Sequence, residues 1–106
     1  MKLALVIHRD DAETVWNAFR LGVHAARAGD AVSVFLLGQG VEAERLDTER
    51  FGVTAQMQKF LDAGGRILAC GTCLELRGRG GTEACPLSTL ADLYRLIAES
   101  DRVLTF

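Results

Sequence analysis

The chain has 106 residues, 49% hydrophobic and 25% charged, with a formal net charge of −2. That is the length of one domain, with enough apolar residues to bury roughly two-thirds of its unfolded surface without staples. The lack of a basic excess argues against nucleic-acid binding, and apolar runs such as Leu3 to Ile7 and Ala31 to Gly38 are too short to span a bilayer. Lys2 precedes only a short apolar run that ends at His8-Arg9-Asp10-Asp11, without a small-residue cleavage site. No membrane association is therefore expected, and the expected location is the cytoplasm.

Lys2 to His8 is an apolar run bounded by charge and reads as a buried strand. Asp10 and Asp11 can cap the helix that follows. From Ala12 to Ala28, Val15, Trp16, Phe19, Val23 and Ala26 recur at helical spacing, and Gly29 stops the run. Ala31 to Leu37 is a second strand, closed by Gly38-Gln39-Gly40. The charged stretch Val41 to Gly52 reads as a short helix plus loop, with Glu42, Glu44, Arg45, Asp47, Glu49 and Arg50 as a solvated face. A helix from about Thr54 to Ala63 ends at Gly64-Gly65, and Arg66 to Cys70 is a third strand. Gly71 and Thr72 turn into a short helix, Cys73 to Arg77, that stops at Gly78. Thr82 to Cys85 is a candidate fourth strand, Ser88 a cap for the helix carrying Leu90, Leu93, Tyr94 and Ile97, and Arg102 to Phe106 the last strand.

Strands alternating with helices imply right-handed crossovers and a parallel sheet. The expected architecture is a three-layer α/β/α sandwich, an open, mostly parallel sheet of four to five strands in the flavodoxin-like order 2-1-3-4-5. Ligands of such sheets bind beyond the carboxyl ends of the strands. His8 leaves strand 1 there, Gly38-Gln39-Gly40 strand 2, Cys70-Gly71-Thr72-Cys73 strand 3 and Cys85-Pro86 strand 4. All three cysteines thus fall on one edge, and in that order His8 should approach the Cys70 segment.

A thiolate is the nucleophile of sulfur transfer and disulfide exchange. Cys73, in the first turn of a helix, faces unpaired N–H groups and the positive dipole end, which favour the thiolate. Cys70, at the strand end, is the more buried thiol, with Arg77 and Arg79 as candidate cations. The plainer reading is that cysteines are small core hydrophobes. Cys70-x-x-Cys73 also suggests thioredoxin-like redox work, although that motif opens a long helix in a different topology. A structural zinc site needs four ligands, and beyond three cysteines and His8 no second ligand pair is present. His8 reads equally as a general base or thiolate partner and as a strand-end residue bonded to backbone. His24 reads as structural and half-exposed, and Trp16 and Phe19 as core. Gly38-Gln39-Gly40 lacks the third glycine of a dinucleotide fingerprint, so no cofactor and no metal are expected.

The block Ile67-Leu68-Ala69-Cys70-Gly71-Thr72-Cys73-Leu74-Glu75-Leu76-Arg77-Gly78 resembles the cysteine segment of DsrE-like proteins. The first strand with its long helix, the strand Val32 to Gly38 and the closing Ser100-Asp101-Arg102-Val103-Leu104-Thr105-Phe106 fit the same family. The resemblance covers nearly the whole chain and implies one DsrE-like domain over residues 1–106. It also implies a sulfurtransferase-like carrier, not a stand-alone turnover enzyme, that accepts sulfane sulfur as a cysteine persulfide. Donor and acceptor proteins would be its partners, and a homo-oligomer (trimer or hexamer) its assembly. In the TusD-type pattern the acceptor cysteine stands at a set distance before an arginine-glycine pair, which fits Cys70 and Arg77-Gly78, whereas the helix-turn argument favours Cys73. Other branches carry a Cys-Gly-Thr-Cys pair, and Cys85 lies outside the pattern. The competing functions are a dithiol redox or thiol-sensing protein, and a non-enzymatic oligomeric small-ligand binder.

Overall fold

The computed structural model describes residues 1–106. In chain order it contains β1 (Lys2–Ile7), α1 (Ala12–Arg27), β2 (Ala31–Leu36), a 3-10 segment (Gly38–Arg45) and α2 (Val53–Asp62). There follow β3 (Arg66–Cys70), α3 (Gly71–Glu75), β4 (Leu87–Ser88), α4 (Leu90–Glu99) and β5 (Arg102–Thr105). The apolar runs became β1, β2 and β3 because strands covered on both faces need no alternation; Leu3 to Ile7 are all buried. Asp11 starts α1 by accepting the Thr14 N–H at 2.9 Å, and Val15, Phe19 and Val23 line its buried stripe.

All strand pairs are parallel, in the order β4-β3-β2-β1-β5. The α/β architecture is as expected, but the flavodoxin-like order is not. In that order the chain would reverse after β2 and place β3 beside β1. Here the chain steps one way from β1 to β4, so right-handed crossovers keep α1 and α2 on one face. Packing favours this: Phe19 of α1 meets Phe60 of α2 edge-on at 5.7 Å between centroids. Only after β4 does the chain travel back, so α4 crosses the opposite face to reach β5 beside β1. The result is three layers, unequally filled. Phe19, Phe35 and Phe60 are fully buried, whereas α4 buries only Leu93 and Leu96 and leaves Leu90, Tyr94 and Ile97 exposed.

Three local expectations are corrected. The fourth strand is Leu87–Ser88, because Thr82 to Cys85 closes a turn in which Thr82 N–H donates to the Cys85 carbonyl at 3.1 Å. α3 begins at Gly71 and ends at Glu75, which makes Cys70 its N-cap. Thr89, not Ser88, caps α4, accepting the Asp92 N–H at 3.1 Å, while Ser88 gives its hydroxyl to the Asp92 carboxylate at 2.8 Å. With Ser88 as donor the Asp92 carboxyl is held below its ordinary range.

Candidate functional site

The topology decides where the sheet opens. The loop after β3 leaves toward the α1/α2 face and the loop after β4 toward the α4 face, so the two part at adjacent strand ends. Such a divergence creates a crevice beyond the carboxyl edge of a parallel sheet. A groove of about 320 Å³ lies there, lined on one side by Cys70, Gly71 and Glu75 and on the other by Leu87, Ser88 and Leu90.

Cys70 ends β3 and caps α3, and it is only 3% exposed. Its thiol is raised above the ordinary value by burial first, then by the neighbouring Cys73 side chain; the backbone N–H groups of Cys73 and Thr72 work against that shift without reversing it. Cys73, the third residue of α3, is half-buried, and its sulfur accepts the backbone N–H of Gly38 at 3.2 Å. Gly38 opens the 3-10 segment with φ +57°, a left-handed conformation that glycine adopts without strain. Two elements far apart in sequence therefore meet on one sulfur: the turn after β3 supplies the thiol and the turn after β2 supplies the donor.

The arginines serve this meeting without touching the sulfur. Arg77 donates from Nη1 to the Cys73 carbonyl at 3.0 Å and pairs through Nε with Glu42 at 2.9 Å. Arg79 pairs with the same Glu42 oxygen at 2.8 Å. Arg77, read from the sequence as a cation for the thiolate, is thus an anchor of the backbone around it. Glu42, read as part of a solvated face, is the shared partner. Its signal in the sequence was faint: an acid flanked by the apolar Val41 and Ala43, both of which are buried.

Cys85 is not brought to the carboxyl end of a strand: because β4 is Leu87–Ser88, Cys85 lies in the bend that leads into it. It is 4% exposed, its N–H donates to the Thr82 hydroxyl at 3.0 Å, and that hydroxyl donates to Glu44 at 2.8 Å. Burial, joined by the Glu44 charge, pushes its thiol up to about 12. His8 is not brought to the cysteines. β2 lies between β1 and β3, which separates the two strand ends by about 10 Å. The exposed His8 imidazole takes part in no hydrogen bond, while its N–H donates to the Phe106 carbonyl at 2.8 Å. His24 is exposed on α1. No group of three or more His, Cys, Asp or Glu side chains converges to hold a metal, and no helix is long and apolar enough to cross a membrane.

Comparison with known proteins places the chain's family and fold. The model of the DsrE/DsrF-like family matches residues 1–106. Protein MJ0989 of Methanocaldococcus jannaschii is 30% identical over 100 residues, covering 89% of this chain and 88% of that protein. Protein MK0008 of Methanopyrus kandleri is 28% identical over 100 residues, covering 89% and 83%. Among solved structures, the YchN protein of E. coli superposes over 100% of both chains with a TM-score of 0.85 at 20% identity. BT1422 of Bacteroides thetaiotaomicron superposes over 99% of this chain and 94% of its own with a TM-score of 0.72 at 18% identity. These two likenesses fix the fold, and the family match, which runs from end to end of the sequence, fixes the lineage: the chain belongs to the DsrE/DsrF-like family.

Proposed function

We propose that this chain is a cytoplasmic sulfur carrier, a single DsrE-like domain that takes sulfane sulfur onto Cys73 and passes it to a partner protein. The observation that supports this most is the Gly38 N–H at 3.2 Å from the Cys73 sulfur, on the one thiol that is not fully buried. An N–H aimed at sulfur favours the thiolate over the thiol, and the thiolate is the nucleophile. Cys73 attacks the outer sulfur of a donor persulfide, a new S–S bond forms, and the donor's own S–S bond breaks. The donor leaves as a thiol, and Cys73 holds the persulfide. An acceptor thiolate then attacks that outer sulfur, and Cys73 returns as thiolate. No external oxidant or reductant is consumed, so the chain acts as a carrier and not as a stand-alone enzyme.

Cys70 has an accessory role in this reading. Its raised thiol is a poor nucleophile at neutral pH, but it lies beside Cys73 and lines the groove. That adjacency favours one second reading, a dithiol switch in which Cys70 and Cys73 close a disulfide by exchange with a low-molecular-weight disulfide, which leaves as two thiols. Cys85 and His8 stand outside the reaction.

The α4 face supports self-association. Leu90, which lines the groove that holds Cys70, and Tyr94 and Ile97 further along α4 expose apolar surface. Large apolar side chains left exposed on one helix suit an interaction surface, and a trimer or a hexamer built from trimers is the assembly we propose.

Incubation with a low-molecular-weight persulfide followed by mass spectrometry tests the function. The carrier reading expects one added sulfur on the Cys73 peptide, removable by a thiol acceptor. A Cys70–Cys73 disulfide formed with oxidised glutathione, together with no sulfur taken from the persulfide and no hydrogen sulfide released, would replace it with the dithiol reading, and no change at either residue in either incubation would reject both.

A further inference from the structure

We infer that Glu42 is a positioning residue for Cys73: by bridging Arg77 and Arg79 it clamps the 3-10 segment onto α3 and holds the Gly38 amide against the sulfur. The inference deepens the reading above and rests on Cys73 as the working thiol.

The 3-10 segment is well seated on its inner side. Val41 and Ala43 are buried in the core on either side of Glu42. Gly40 lies so close to β1 that a Cβ there would stand 1.9 Å from the Ile7 carbonyl oxygen, which only glycine allows. What this seat leaves open is the approach of the segment to α3, and Glu42 closes it. One carboxylate oxygen accepts from Arg77 Nε at 2.9 Å and from Arg79 Nη2 at 2.8 Å. Arg77 continues to the Cys73 carbonyl at 3.0 Å, and Arg79 reaches back to the Val41 carbonyl at 3.4 Å. The connections form a ring: Cys73 carbonyl, Arg77, Glu42, the 3-10 backbone, the Gly38 N–H and the Cys73 sulfur. A single part-exposed ion pair is weak, but here two pairs share one carboxylate and restrain one short segment.

Charge and position act on the thiol with opposite signs. The charged and titratable groups around Cys73 are Cys70 at the head of its own turn, Glu42 on the 3-10 segment, and Arg77 and Arg79 beyond α3; Glu75 lies on the groove side. Removing the Glu42 charge alone leaves two cations nearby and would make the Cys73 thiol more acidic. Releasing the segment takes the Gly38 N–H off the sulfur and makes the thiol less acidic.

The test is the rate of Cys73 alkylation against pH, read by peptide mass in the full chain. Glu42→Gln should raise the midpoint and slow the reaction at neutral pH about threefold, less than one lost hydrogen bond to an anion alone would give, because the missing Glu42 charge works the other way. Glu42→Asp keeps the charge but withdraws the carboxylate by one methylene, and should move the midpoint upward by less. A lowered or unchanged midpoint in Glu42→Gln, with a cooperative thermal melt, would overturn the clamp. If the Gln variant does not fold, the Asp variant decides alone, and an unchanged midpoint there overturns it. Alkylation reads the thiol without sulfur transfer, so failure of the clamp and failure of the carrier reading are separate results.

Discussion

Cys73 follows the carboxyl end of β3, Cys85 precedes the start of β4, and the two thiols meet opposite surroundings. Cys73 sits half-open at the start of α3 with a backbone N–H pointed at its sulfur. Cys85 sits closed inside the bend before β4, where the nearest ionisable group is the carboxylate of Glu44. One environment offers an anion a donor; the other denies it water and sets a like charge beside it. Lying next to a strand of the sheet is thus not enough to make a cysteine reactive. What the neighbouring turn turns toward the sulfur, an amide or a carboxylate, decides.

The comparison can be broken most sharply at Cys73 itself. Cys73→Ser should abolish persulfide loading, a loss of at least about a hundredfold, because a serine hydroxyl does not ionise near neutral pH. Cys85→Ala should leave loading within about twofold, since its thiol stays protonated until about 12. Loading that survives the first change and fails with the second would reverse the roles. In the unaltered protein, Cys85 should react with iodoacetamide at neutral pH roughly a hundredfold or more slowly than an ordinary exposed thiol, given its upward shift from 9.0 to about 12.

Stability against pH sharpens the same contrast with a smaller effect. A thiol whose folded pKa is raised favours the folded state fully below its unfolded value and loses that contribution as pH climbs toward the folded one. For Cys85 the window runs from about 9.0 to about 12. Chemical denaturation across that window should show stability falling, and Cys85→Ala should lessen the fall without removing it, because the Cys70 thiol is raised as well. The smallest effect belongs to Thr82→Ala, which leaves the Cys85 N–H without its acceptor. It should cost about 1 kcal/mol, the scale of a single neutral hydrogen bond, read as a shifted urea midpoint.

Much of this arrangement was legible in the sequence, and the part that was not has a common cause. The runs at Leu3, Val32 and Ile67 announced strands because residues covered on both faces are continuously apolar. The short helix carrying Cys73 was announced too, although it begins at Gly71 and not after a Gly71-Thr72 turn. The order of those strands was not legible, since an apolar run records burial and not which way the chain next crosses the sheet. The flavodoxin-like order therefore put His8 beside Cys70, where the structure puts β2. The Gly38–Cys73 contact spans 35 residues and uses a backbone N–H, which every residue but proline carries. Glu42 looked like one more surface acid because its two arginines lie beyond α3 and meet it only in the folded chain.

The account stands on Cys73 being the most nucleophilic sulfur of the three. Brief alkylation of the native protein at neutral pH, with site-resolved peptide mapping of Cys70, Cys73 and Cys85, measures that directly. The account predicts label on Cys73 first, Cys70 well behind it and Cys85 last. Label arriving first on Cys70 or Cys85 would contradict it.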